Sequence, residues 1–291
     1  MVFDCTPATT LDEFTNALFA DTPRAESPIR VRNGSLAAQS PAFRSHSYPA
    51  QCENRQLASV VVARNLSLAP RLVQIQALEL IRTKHLFTHS GRHTTPSSFL
   101  LIVVLPTDAP KLTEHMNSHI FISHFHDPVS GYPNLEDLDL GDDASIASVV
   151  RKPGVLAPSR DPLITPLEIA HLQALSRPIT ITCELTQYFM NVIYYLRIHR
   201  FVAGGITPLA TKHCMQLCKS LAPLHGLDFV TPSLVGLAVR KIYAHRIDVV
   251  TPEGERSVQW GSRIDDVAEA LDGVTSERII EDVLDSVEVP L

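Results

Sequence analysis

The chain has 291 residues, 45% of them hydrophobic, which suffices for two modest domains with cores of their own. Its net charge of -6 and pI near 6.1 argue against a nucleic-acid footprint, and its longest apolar runs are strand-sized, which excludes a membrane-spanning helix. Five cysteines, an odd number behind an acidic, Pro-containing N-terminus unlike a signal peptide, point to free thiols and a cytoplasmic or nuclear protein.

In chain order, Val2-Phe3-Asp4 reads as a strand and Thr10-Leu-Asp-Glu13 as a turn into a helix. Residues 21–54, rich in Pro, Ser, Ala and Arg, are expected to form a long mobile loop. Val60-Val61-Val62-Ala63 is β-branched, unalternating and too short for a helix, so it predicts a parallel strand buried on both faces. A helix over Gln74–Arg82, a hairpin from Lys84, and a strand over Phe99–Leu105 follow. Ile120–His124 predicts a further strand. Residues 127–165 carry an acidic run and many prolines and read as a linker, with room for a turn of helix over Ala144–Val150. Thr165-Pro166-Leu-Glu168 is a helix start, and Thr182–His199, Pro208–Leu224 and Pro232–Arg246 have helical apolar spacing. A helical domain of about four helices over 166–250 follows from these starts. Residues 251–291 then read as a short strand at Arg256–Trp260 and two amphipathic helices, Ile264–Leu271 and Ser276–Val287.

The run Val60-Val-Val-Ala-Arg64-Asn65-Leu-Ser-Leu-Ala-Pro70, with Gln74–Arg82 behind it, resembles the Walker B strand and following helix of the MoxR and magnesium-chelatase I-subunit group of AAA+ ATPases. Val2–Pro7 looks like the strand just downstream of that group's P-loop helix. Lys84–Pro96 is similar to its hairpin before the sensor 1 strand, and Phe99–Leu105 to that strand. Gly204-Gly205-Ile-Thr-Pro208-Leu209, Gly226–Pro232, Ala244-His245-Arg246 and Leu284–Pro290 resemble successive pieces of its lid and C-terminal ending. The resemblance implies an α/β plus all-α protein: a partial AAA+ core with a parallel sheet over residues 1–126, then a helical lid.

The departures carry the chemistry. Under the resemblance, the Walker B Asp-Glu pair becomes Arg64-Asn65 and the sensor 1 Asn falls at or beside Pro106. The arginine-finger motif becomes Met116-Asn117-Ser118-His119, with Ser118 at the arginine, and the sensor 2 Arg becomes Leu209. No Gly is followed by Lys, so no G-x-x-x-x-G-K-[ST] loop is present in these residues. An arginine finger alone is worth roughly 10³- to 10⁵-fold in rate, and Mg²⁺ needs oxygen ligands that Arg64 does not supply. A guanidinium about 4 Å from a cation opposes it by ~4 kcal/mol per unit charge at an effective dielectric near 20. Arg64 can instead meet a phosphate directly, or simply be a solvated residue at a strand end. The family's sheet would place its P-loop strand between the Phe99–Leu105 strand and the Ile120–His124 strand. The expectation is therefore a gap, explained by a natural chain longer than this one, the reading favoured here, or by another segment filling the slot.

His119, His124 and His126 beside Asp127 are a conceivable zinc or iron set, but their spacing is not diagnostic and ordinary histidines are expected. Cys214 and Cys218, one turn apart, read as buried small side chains. The expected cofactor set is none in this chain, with ATP and Mg²⁺ implied by the family alone. Protein partners or AAA+ ring subunits are expected, and neither nucleic acid nor membrane. Two functions compete: an assembly, scaffold or regulatory module without ATP turnover, and an ATPase subunit of a magnesium-chelatase-like complex when full length.

Overall fold

The computed structural model describes residues 1–19, 56–88, 91–125 and 164–290. The loop expected at 21–54 and the linker expected at 127–165, including Ala144–Val150, fall almost wholly outside them. The chain divides into two compact units, Met1–Ile120 and Phe121–Leu291.

In the first unit, β1 (Val2–Asp4), β2 (Val60–Arg64) and β5 (Leu100–Val104) form a three-stranded parallel sheet in the order β1-β2-β5. The hairpin that the sequence predicts is formed by antiparallel β3 (His85–Thr88) and β4 (Gly91–Thr94), and it stands apart from that sheet. Helix α1 (Leu11–Ala17) begins with a capping box in which Thr10 and Glu13 satisfy each other's backbone N–H groups. Helix α2 (Arg71–Thr83) follows a 3-10 turn after β2, and the short α3 (Glu114–His119) packs against it. Phe14 of α1 and Val73, Ala77 and Leu80 of α2 share one apolar cluster with Val61 and Ala63 of β2. Buried Gln74 on α2 donates to the Ala69 carbonyl at 3.1 Å and accepts from the Thr113 N–H at 3.1 Å, which fixes the start of α3.

Two expectations fail in this region. β2 is not buried on both faces: Val61 and Ala63 are enclosed, whereas Val60 faces solvent. Among the described residues the helices cover one face only, and the other presents Val2, Val60, Leu100, Ile102 and Val104, each between 40% and 55% exposed. Ile120–His124 is not a strand, so His119 does not sit beside a strand but ends α3. The Ser123 N–H donates to the Lys241 carbonyl at 3.0 Å, one of the carbonyls that a helix end leaves without an intrahelical partner. That bond ties the segment to a helix end, where a strand would need a ladder.

The second unit is helical: α4 (Pro166–Ser176), α5 (Cys183–Ile198), α6 (Pro208–Leu224), α7 (Pro232–Tyr243), α8 (Ile264–Leu271) and α9 (Ser276–Ser286). Between them, β6 (Val202–Gly204) pairs antiparallel with β7 (Asp248–Val249). Thr165, Thr182, Thr207, Thr231 and Thr275 are N-caps, each side chain accepting from the backbone N–H three residues on. The core joins Val192, Ile193 and Leu196 of α5, Cys214 and Cys218 of α6, Val239 and Ile242 of α7, and Ile279 and Val283 of α9. A bidentate pair of Arg240 on α7 with Glu281 on α9, at 2.6 and 2.7 Å, ties two of these helices together. The strand expected at Arg256–Trp260 is a 3-10 helix. Buried Glu255 caps it by accepting from the Ser257 N–H at 2.9 Å, a local bond that competes with extended structure.

Candidate functional site

In a parallel sheet the chemistry gathers beyond the carboxyl ends of the strands. Here the register sets Asp4 of β1 opposite Arg64 of β2, and Arg64 opposite Val104 of β5. The ladder runs past the strand ends: the Cys5 N–H donates to the Arg64 carbonyl, and the Asn65 N–H to the Val104 carbonyl, both at 2.8 Å. Arg64, Asn65 and the Val104–Pro106 segment therefore share one sheet end, as the sequence requires for Arg64, Asn65 and Pro106. Asn65 takes a left-handed conformation, φ 56°, that Asn tolerates better than most residues and that turns the chain into the 3-10 helix Leu66–Leu68.

Asp4 was not anticipated. Its carboxylate lies 3.7 Å from the Arg64 guanidinium, both groups more than half exposed, so Arg64 is a solvated residue with a loose, water-screened carboxylate partner. Parallel pairing of Val2-Phe3-Asp4 with Val62-Ala63-Arg64 was the signal that would have found it. The neighbouring Cys5 thiol is pushed up to about 11, first by burial and then by the Asp4 charge, so it is a protonated, unreactive thiol at neutral pH.

These groups do not fit a magnesium-bound triphosphate. A hard cation wants several oxygen ligands, and hydrolysis wants a carboxylate to orient water. The described sheet end offers one carboxylate, already facing a guanidinium, with an amide next to it. No step of hydrolysis is derivable from such a set.

The remaining sequence candidates lie elsewhere. Ser118 is half-buried on α3 in the first unit, and Leu209 is half-buried at the second position of α6 in the other unit. His124 accepts at Nδ1 from the Lys241 ammonium at 2.9 Å, and His126 lies outside the described residues. Among the described residues no three His, Cys, Asp or Glu side chains converge as a metal site, and no helix is long and apolar enough to cross a membrane.

The helical unit holds two polar centres that sequence reasoning missed. Arg246, almost wholly enclosed, donates from Nη2 to His213 Nδ1 at 3.0 Å, and burial lowers its affinity for its proton. Cys214 nearby is held protonated, first by its hydrogen bond with Cys218 and then by burial, so this thiol pair is packing and not chemistry. Secondly, Arg200 grips Glu255 at 2.9 and 3.4 Å beside an open cavity of about 320 Å³ lined by Val202, Val249, Thr251 and Arg256 among others. Arg200, followed by Ser257, holds the Glu255 carboxyl down to about 2.

Comparison with known proteins bears on the fold and family. Residues 195–269 match the AAA lid domain family. Chaperone MoxR1 of Mycobacterium tuberculosis is 23% identical over 219 residues, 68% of this chain and 55% of that protein. Maintenance of telomere capping protein 2 of Lachancea thermotolerans is 27% identical over 103 residues, 34% of this chain and 36% of that protein. The chain thus spans about a third of one curated relative and about half of the other. The crystal structure of a candidate ATPase from Cytophaga hutchinsonii superposes with a TM-score of 0.62 over 100% of this chain and 77% of its own, at 13% identity, a likeness of fold alone. The matched lid and the alignment with a MoxR chaperone over 68% of this chain support an AAA+, MoxR-like chain with a helical AAA lid, and the shared fold agrees with that.

Proposed function

We propose that this chain works as an assembly, scaffold or regulatory module that keeps an AAA+ frame and does not turn over ATP. The observation that carries the reading is the Arg64–Asp4 pair at the end of β2, where a hydrolysing site needs free carboxylates for metal and water. Pro106 and Leu209 add to it, since neither side chain has a polar group to offer a phosphate. Protein partners, including subunits of an AAA+ ring, are the ligands of such a module. The reduced thiols of Cys5, Cys183, Cys214 and Cys218 suit a cytoplasmic setting.

The test is calorimetric titration of the purified chain with Mg-ATP, together with phosphate release, first alone and then mixed with a catalytically complete MoxR-type subunit. The expected result is no phosphate release by the chain alone and no Mg²⁺-dependent increase in nucleotide affinity. ATP hydrolysis by the chain alone, abolished by Asp4→Asn, rejects the reading. Similarity to a MoxR chaperone over 219 residues favours a second reading, in which a longer form of the protein is an ATPase subunit of a magnesium-chelatase-like complex. Its mark is phosphate release by the natural full-length chain.

A further inference from the structure

Trp260, the chain's single tryptophan, is 88% exposed. Tryptophan has a large apolar surface and is over-represented at the energetic centres of protein interfaces, so one held almost wholly in water at a fixed position is unusual. The position is fixed. Trp260 closes the 3-10 helix Arg256–Trp260, whose N-cap Glu255 is buried and gripped by Arg200 and Ser257. At the other end Gly261 adopts φ 98°, its N–H donating to the Val258 carbonyl at 3.1 Å, and the Ser262 N–H returns to the Ser257 carbonyl at 3.2 Å. An ion pair between half-exposed Arg200 and enclosed Glu255 thus props up the turn that displays the indole, which lowers the entropy lost when a partner covers it.

The surroundings state the partner's charge. Four residues on, Ile264 is 48% exposed at the start of α8, whose outward positions include Asp265, Asp266 and Glu269. From Arg256 to Glu269 the turn and α8 carry three exposed carboxylates, Asp265, Asp266 and Glu269, against Arg256 and Arg263, and Arg263 is already 3.6 Å from Asp265. An apolar anchor with an acidic rim complements a basic segment, because the rim steers cations inward and an indole face attracts Arg or Lys.

We propose that the Trp260 turn and the adjoining face of α8 form a docking surface for a basic, Lys- or Arg-containing segment of a partner protein. The inference rests on the helical unit alone and stands whether or not the chain hydrolyses ATP. The lone indole makes it directly readable. The full chain is titrated with a fluorescein-labelled peptide of Lys-Lys-Leu-Leu repeats and, separately, with the Glu-Glu-Leu-Leu peptide of equal apolar content, following Trp260 emission and label anisotropy.

The lysine peptide is expected to bind saturably and change Trp260 emission, with affinity falling as ionic strength rises from about 0.05 to about 0.5 M. Trp260→Ala, and separately the triple variant Asp265→Asn, Asp266→Asn, Glu269→Gln, are each expected to weaken binding about 10-fold or more. All four side chains are exposed, so circular dichroism should show the variants folded. Equal binding of the acidic peptide, affinities unchanged in either variant, or no saturable binding of the lysine peptide overturns the proposal.

Discussion

At Gly205 the backbone adopts φ 96°, and a Cβ there would overlap the carbonyl oxygen of Arg246, a main-chain atom that cannot swing aside. Gly205→Ala is therefore expected to cost about 3 kcal/mol or more, or to abolish soluble expression. Gly204→Ala, with open space around it, should stay within about 0.5 kcal/mol in urea unfolding. Glu255 supplies a pH prediction. Its folded pKa of about 2 lies below the ordinary value of 4.5, so its contribution is present above about pH 4.5 and is lost as pH falls toward 2. In Glu255→Gln the fall in melting temperature across that window should be shallower than in the native chain, a difference thermal melts would read. At this scale Arg64, Asn65 and Pro106 were legible because the parallel register was. Asp4, its bond with Arg64 and the Arg200–Glu255 pair were not, because they join residues brought together only by folding.

The helices of the second unit show how far local chemistry reaches. Five begin at a threonine cap, and three of those continue with Pro at the first turn, a signal written in consecutive residues. Thr207→Ala is expected to cost about 1 kcal/mol in urea unfolding, since α6 packs into the core. Thr165→Ala should leave the urea midpoint within about 0.5 kcal/mol, because α4 contains no buried residue and its fraying need not disturb the rest. Strands were read less well than helices. Ile120–His124 and Arg256–Trp260 have strand-like composition, but strand formation needs a partner ladder, and what each found was a helix end or a capping carboxylate. The face of the β1-β2-β5 sheet that no described helix covers is open to test through Ile102. Its side chain points away from the cluster holding Val61 and Ala63, so Ile102→Glu should change stability by less than about 1 kcal/mol and raise the solubility of the chain.

On the scale of the molecule, the two units have separate apolar clusters, and the cluster of the helical unit is the more extensive among the described residues. The sheet unit leaves apolar area in water, so it is expected to unfold first. Trp260 reports on the helical unit alone, whereas far-UV circular dichroism reports on both. The fluorescence midpoint in urea should accordingly exceed the first dichroism transition, and coincidence of the two curves would argue for a single cooperative unit. Sequence alone determined the secondary structure of most of the described residues, the order of the α/β and helical parts, and the Arg64-Asn65 pair that ends β2. Each of these is written in side-chain chemistry that repeats or caps over a few adjacent positions. Tertiary structure decided which face of the sheet is covered, which carboxylate meets Arg64, and which tryptophan-bearing turn is held out to solvent, because burial and ion pairing depend on residues distant in sequence and close in space.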